Sequence, residues 1–177
     1  IYRNLKKIIN NFKNEPLVIP LAATSREIFS LGYSENMFLT LGSMGMPISI
    51  ASGLALGLSR DEQKKNHKVI CVEGDGSLLM SLNSLPSIKS MNLSSIIIII
   101  LDNESYSVTG NQNSQSSKID ISKIAKALDF EVYKVIDEND IDPAFEKAHK
   151  SQSAAFIHVK INNIRSREKI IDLSPVI

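Results

Sequence analysis

Three short stretches carry residue types that could do chemistry. In VICVEGDGSLL, Val69 to Leu79, the carboxylate of Asp75 lies between Gly74 and Gly76 where an apolar run gives way to a helical pattern. In ILDNESYSV, Asn103 offers a neutral amide oxygen 28 positions after Asp75. In LGSMGMP, Gly42, Ser43 and Met44 precede a run of small apolar residues. One carboxylate, one amide oxygen and one main-chain carbonyl form a hard-oxygen set that suits Mg2+, which fills the rest of its octahedron with phosphate oxygens and water. Gly74 and Gly76 remove side chains where a phosphate could approach the backbone, and the N-terminal N–H groups of a helix opened by Ser77 favour an anion. Asp-Gly and Asp-Asn are also ordinary turn pairs, so the alternative reading is a solvated turn. Two other phosphate-binding patterns are excluded. Leu79 stands where G-x-G-x-x-G needs its third glycine, and no G-x-x-x-x-G-K-[ST] loop occurs.

Asp75 and Asn103 can meet only if two strands end side by side. The run SSIIIIIL is unbroken and β-branched, which implies a strand buried on both faces, and KVICVE is its counterpart. Around them the pattern alternates. A helix ends near Lys13, PLVIPLA reads as a strand, and Ser25 to Leu31 as a short helix with Thr24 and Glu27 at capping-box spacing. MFLTL is strand-like, ISIASGLALGL is a helix packed closely on a sheet, and GSLLMSLNSLPSIKSM is helical with a kink or break expected near Ser84 because of Pro86. Asp120 is a plausible N-cap, and ISKIAKAL, EVYKVID, PAFEKAHK and AAFIHVKI continue helix, strand, helix, strand. This order predicts one α/β domain over residues 1–177, doubly wound, with a mostly parallel sheet and helices on both faces. Ligands in such sheets bind beyond the carboxyl ends of the strands, where both Asp75 and Asn103 fall.

Composition narrows the partners. Twenty basic and nineteen acidic side chains among 177 residues leave a net charge of +1, so no field selects nucleic acid or an anionic membrane. The longest apolar run, Ile96 to Leu101, is far short of the ~20 residues a bilayer requires. Cys71 is the only cysteine, which excludes an internal disulfide, fits a reducing cytoplasmic compartment, and reads as a small core residue. His67, His149 and His158 lack metal-ligand spacing and read as solvated or structural. The chain begins at Ile1 rather than Met, which is compatible with a natural start upstream.

Taken together, GDGS, the spacing to Asn103, and the DNESY that contains it resemble the magnesium and thiamin diphosphate motif of thiamin-dependent enzymes. That family usually has Asn-Asn where this chain has Asp102-Asn103, a departure at the position that is not the metal ligand. The resemblance implies the thiamin diphosphate-binding fold, with Asp75 and Asn103 binding Mg2+ by side chain and Ser105 by its carbonyl. LGSMG resembles the segment on which the cofactor's aminopyrimidine rests, with Gly42 supplying a carbonyl and Met44 a wedge between the rings. Gly74, Gly76, Ser77, Ser43, Tyr106 and Ser107 carry over as further cofactor contacts, and Thr24 and Ser25 as contacts to the diphosphate.

Within the family the blocks TSRE, GSMG, GDGSLLMSL, SYSVTGNQ and FIHVKI resemble phosphonopyruvate decarboxylase and the beta subunit of sulfopyruvate decarboxylase. Gly110-Asn111-Gln112 departs from the Gly-Gly-Gln of those enzymes. The implied activity is thiamin diphosphate-dependent decarboxylation of a 3-substituted pyruvate. Lys118, Arg165 and Arg167 are cations that a phosphonate or sulfonate could use. The resemblance also implies an absent part, a pyrimidine-binding domain whose glutamate activates the cofactor. It is expected from an alpha subunit or from an N-terminal domain outside this chain, in a hetero-oligomer or dimer of dimers. An acetolactate-synthase-like carboligase and a non-catalytic interaction subunit of the same fold are the alternatives.

Overall fold

The computed structural model describes residues 2–21 and 23–162. Helix α1 (Tyr2–Asn11) leads into strand β1 (Leu17–Ile19), then α2 (Ala23–Leu31), β2 (Met37–Leu39) and α3 (Pro47–Ser59). Strand β3 (Val69–Gly74) runs directly into α4 (Asp75–Met80), followed by α5 (Ser84–Ser90) and β4 (Ile96–Asp102). A small hairpin of β5 (Ser105–Tyr106) and β6 (Gln112–Asn113) precedes α6 (Ile121–Ala127), β7 (Glu131–Val135), α7 (Ile141–Lys150) and β8 (Ala155–Lys160).

Six strands form one sheet in the order β2-β1-β3-β4-β8-β7, and every pairing is parallel. The strand predicted to be buried on both faces, β4, is central, and β3 lies beside it. Residues Ile96 to Ile100 are fully buried, each worth about 1.5–3 kcal/mol relative to exposure. Alternate residues of β3 and β4 feed two cores, as a sheet covered on both faces requires. One core joins Ile70, Val72, Ile97 and Ile99 to Phe12, Ile28 and Phe145; the other joins Cys71, Ile98 and Ile100 to Ile48, Leu78, Leu85 and Ile121. Cys71 is thus a buried core residue. Among the described residues, no helix is long and apolar enough to cross a membrane.

Local signals held with two exceptions. Asp120 caps α6, its carboxylate accepting from the N–H groups of Ser122 and Lys123. The break expected near Ser84 separates α4 from α5, and Pro86 falls in the first turn of α5, where an N–H has no helical acceptor to lose. The Thr24–Glu27 capping box does not form. Helix α2 begins at Ala23, so Thr24 is already helical and Glu27 is buried on the inward face. Likewise α4 opens at Asp75 rather than Ser77, which puts the carboxylate itself in the first turn, the electropositive end of a helix.

Candidate functional site

The parallel register sets the site. Gly74 at the tip of β3 pairs with Leu101 of β4, so the chain leaves the two adjacent strands at neighbouring points, into Asp75 on one side and Asn103 on the other. Both residues line one cavity of about 200 Å3, together with Thr24, Met44, Glu73, Gly74, Gly76, Ser77, Ser105, Tyr106 and Ser107. Of the predicted contacts, Ser25, Gly42 and Ser43 are absent from its wall. Ser25 is buried within α2, while Gly42 and Ser43 form the turn before α3, Gly42 with a left-handed φ of +76°. That turn is nevertheless tied to the strand tip, because the Gly45 N–H donates to Ser77 Oγ at 2.7 Å. Met44 projects into the cavity wall half-exposed instead of packing in the core.

The two glycines of GDG do different work. A Cβ on Gly74 would meet nothing within 4 Å, so its backbone faces open cavity, as close approach of a phosphate requires. A Cβ on Gly76 would come within 2.8 Å of Tyr106 Cδ1 and closer still to Cε1. The absent side chain at Gly76 therefore makes room for an aromatic ring of the same chain, a cause spacing does not show, while Gly76 still lines the cavity.

Asp75 is buried, and its Oδ2 accepts from the hydroxyl of Ser114 and, at 2.9 Å, from that of Ser116. Burial pushes its carboxyl above the usual range and the nearby Asp102 charge adds to this, while the two serine hydroxyls pull the other way. Asn103 closes a turn on itself: Oδ1 accepts from Ser105 N–H at 3.1 Å and Nδ2 donates to Ser107 Oγ at 2.8 Å. Its oxygen retains a second lone pair. No group of three or more His, Cys, Asp or Glu side chains that could hold a metal forms among the described residues. The donor set at this cavity is therefore poor in charge, which fits a cation that shares its shell with phosphate oxygens.

Beside it, Glu73 is fully buried at the end of β3. Its Oε1 accepts from Gly74 N–H at 3.0 Å, while Oε2 makes no hydrogen bond. Burial pushes this carboxyl up to about 7, offset in part by the Ser77 hydroxyl and the Gly74 N–H.

Residues 25–159 match the thiamine pyrophosphate enzyme family, in its C-terminal TPP binding domain. The chain belongs to this family. The sulfopyruvate decarboxylase subunit beta of Methanothermobacter thermautotrophicus is 33% identical over 96% of this chain and 85% of that one. A phosphonopyruvate decarboxylase of Streptomyces viridochromogenes is 26% identical over 89% of this chain but only 38% of its own length. The solved benzoylformate decarboxylase of Polynucleobacter necessarius superposes with a TM-score of 0.77 at 20% identity, over 93% of this chain and 33% of that one. At that identity the likeness speaks for the fold alone.

The tips of β3 and β4 supply the wall of this cavity. Several of the residues around them were not foreseen from sequence. Ser114 and Ser116 lay in a polar loop without pattern, and they become neighbours of Asp75 through the β5–β6 hairpin and a short 3-10 turn at Gln115–Ser117. Glu73, Asp102 and His158 are each polar residues inside an otherwise apolar strand, a signal that could have marked them. His158 is structural, as expected. It is buried, with Nε2 2.8 Å from Asp102 Oδ2 and Nδ1 2.6 Å from Ser122 Oγ. Lys118 lines a separate cavity of about 250 Å3 with Lys134, His158 and Lys160, away from the Asp75 cavity. Arg165 and Arg167 lie outside the described residues.

Proposed function

We propose that this chain is the cofactor-binding subunit of a thiamin diphosphate-dependent decarboxylase that acts on sulfopyruvate or phosphonopyruvate, releasing CO2 and the corresponding aldehyde in the cytoplasm. The observation that carries the reading is the convergence of Asp75 and Asn103 on one cavity at adjacent strand tips, in front of the open backbone of Gly74. When bound, thiamin diphosphate supplies the electron sink for decarboxylating a 2-oxo acid. The chain's own tasks are holding and orienting. Asp75 and Asn103 side chains and the Ser105 carbonyl would hold Mg2+, Gly74 and Ser77 would receive the diphosphate, and Met44 would brace the organic part of the cofactor. Tyr106 packs over Gly76 at the side of the pocket and would shield the diphosphate end from water.

A second polypeptide or domain, the pyrimidine-binding part, completes the site. The longer relative supports this, since residues matching this chain make up 38% of it. So does a surface without a partner among the described residues. Helix α3 buries one side only; Leu54 and, just before the helix, Met46 stand exposed, as do Gly53 and Gly57, where a Cβ would meet nothing within 4 Å, and Met80 of α4 is exposed as well. Such an apolar patch with small residues lets a second backbone approach closely. We assign it to the partner.

Calorimetry of the assembled protein tests the cofactor reading: thiamin diphosphate should bind only with Mg2+, and Asp75→Ala should abolish it. Turnover of sulfopyruvate by this chain alone would refute the need for a partner. Product analysis separates decarboxylation from carboligation.

A further inference from the structure

Asp102 belongs to the strand tip but faces away from the cavity, and no step above uses it. It is 1% exposed, yet four donors converge on it. Oδ1 accepts from Glu104 N–H at 3.0 Å and Ser116 Oγ at 2.8 Å; Oδ2 accepts from Lys160 Nζ and His158 Nε2, each at 2.8 Å. Four donors require four acceptor lone pairs on one side chain, which a carboxylate has and an amide does not. Although burial opposes ionisation, His158, Lys160 and Ser116 hold this carboxyl well below the usual range.

Ser116 links Asp102 to Asp75. Its Oγ lies 2.8 Å from Asp102 and 2.9 Å from Asp75 Oδ2, and 2.8 Å from the Ser114 hydroxyl that also reaches Asp75. We propose that Asp102 is a positioning residue for the divalent cation: anchored by β8 through His158 and Lys160, it fixes Ser116, whose single hydroxyl proton is shared between the Asp102 and Asp75 carboxylates, and Ser116 with Ser114 holds the Asp75 carboxylate in its ligating orientation. This rests on the reading of Asp75 as a metal ligand. It explains why a carboxylate stands at 102. In Asp102→Asn the amide nitrogen faces two donors on whichever side it turns, so either the Ser116 pair or the Lys160 and His158 pair is lost.

The test is Mn2+ binding, followed by electron paramagnetic resonance, to the chain assembled with its partner and thiamin diphosphate. Outer partners of metal ligands commonly set affinity by about 10–100-fold. Asp102→Asn and Ser116→Ala should each weaken Mn2+ by about 10-fold or more, and Ser116→Thr, which keeps the hydroxyl, should recover most of it. Ser116→Ala leaves Asp102 with three donors, so it stays folded should Asp102→Asn fail to. A purely structural role would lower the thermal midpoint of the metal-free protein and leave Mn2+ affinity unmoved. Wild-type binding with both variants within twofold of it overturns the inference. Absence of Mn2+ binding by the wild type overturns the metal site itself, and the inference with it.

Discussion

The buried carboxylate of Glu73, one of whose oxygens makes no hydrogen bond, makes a stability prediction that needs no cofactor. Its pKa rises from 4.5 to about 7 on folding, so the native state holds the proton more tightly than the unfolded chain. A carboxyl raised on folding costs nothing where both states are protonated, below 4.5. It costs increasingly as pH climbs, because the unfolded state ionises first, and the full penalty is reached above 7. At 1.36 kcal/mol per unit, that penalty is about 3 kcal/mol, most of which develops between pH 5 and pH 8. Glu73→Gln removes the titration while keeping shape. Its packing and hydrogen-bond cost is common to both pH values and cancels when they are compared. Relative to wild type, the variant should therefore gain about 2–3 kcal/mol on going from pH 5 to pH 8 in denaturant titrations. In thermal scans this corresponds to about 5–10 °C for a chain of this size. Parallel pH profiles for the two proteins would refute the account of Glu73 as a buried, unpaired acid.

Other expectations follow from particular contacts. Gly76→Ala should destabilise by about 1–3 kcal/mol through overlap with Tyr106, and Tyr106→Ala in the same chain should recover most of that loss in urea titrations. Leu54→Lys on α3 should leave the thermal midpoint of the isolated chain unchanged but weaken association with the partner about tenfold or more by sedimentation; equal association would remove α3 from the interface. Limited proteolysis within residues 105–117 should slow when Mg2+ and thiamin diphosphate are added, since Asn103 and Ser105 sit at the start of that segment.

Much of the architecture could be read from the chain because the determining signals are local. The β-branched run at Ile96–Ile100 fixes a central strand wherever it packs, and alternation of helix and strand then forces parallel neighbours. The convergence of Asp75 and Asn103 was legible for the same reason: both follow directly from strand ends. The serines that hold Asp75 were not, because Ser114 and Ser116 reach it across 39 and 41 residues through a polar hairpin with no periodicity. Thr24 misled because capping-box spacing is a local pattern that α2 overrides by starting at Ala23. Gly76 was explained by a ligand when the nearer cause was Tyr106, a contact thirty positions away that spacing does not encode.

The uniform direction of the six strands has a practical side. All carboxyl tips face one rim, and the loops 60–68, 91–95 and 151–154 that enter β3, β4 and β8 lie at the opposite rim, at the far end of the strands from the Asp75 cavity. The exposed turn at 62–66 is accordingly the place to graft a fluorophore or affinity handle: a probe there rides on the rim opposite the strand tips that line the Asp75 cavity.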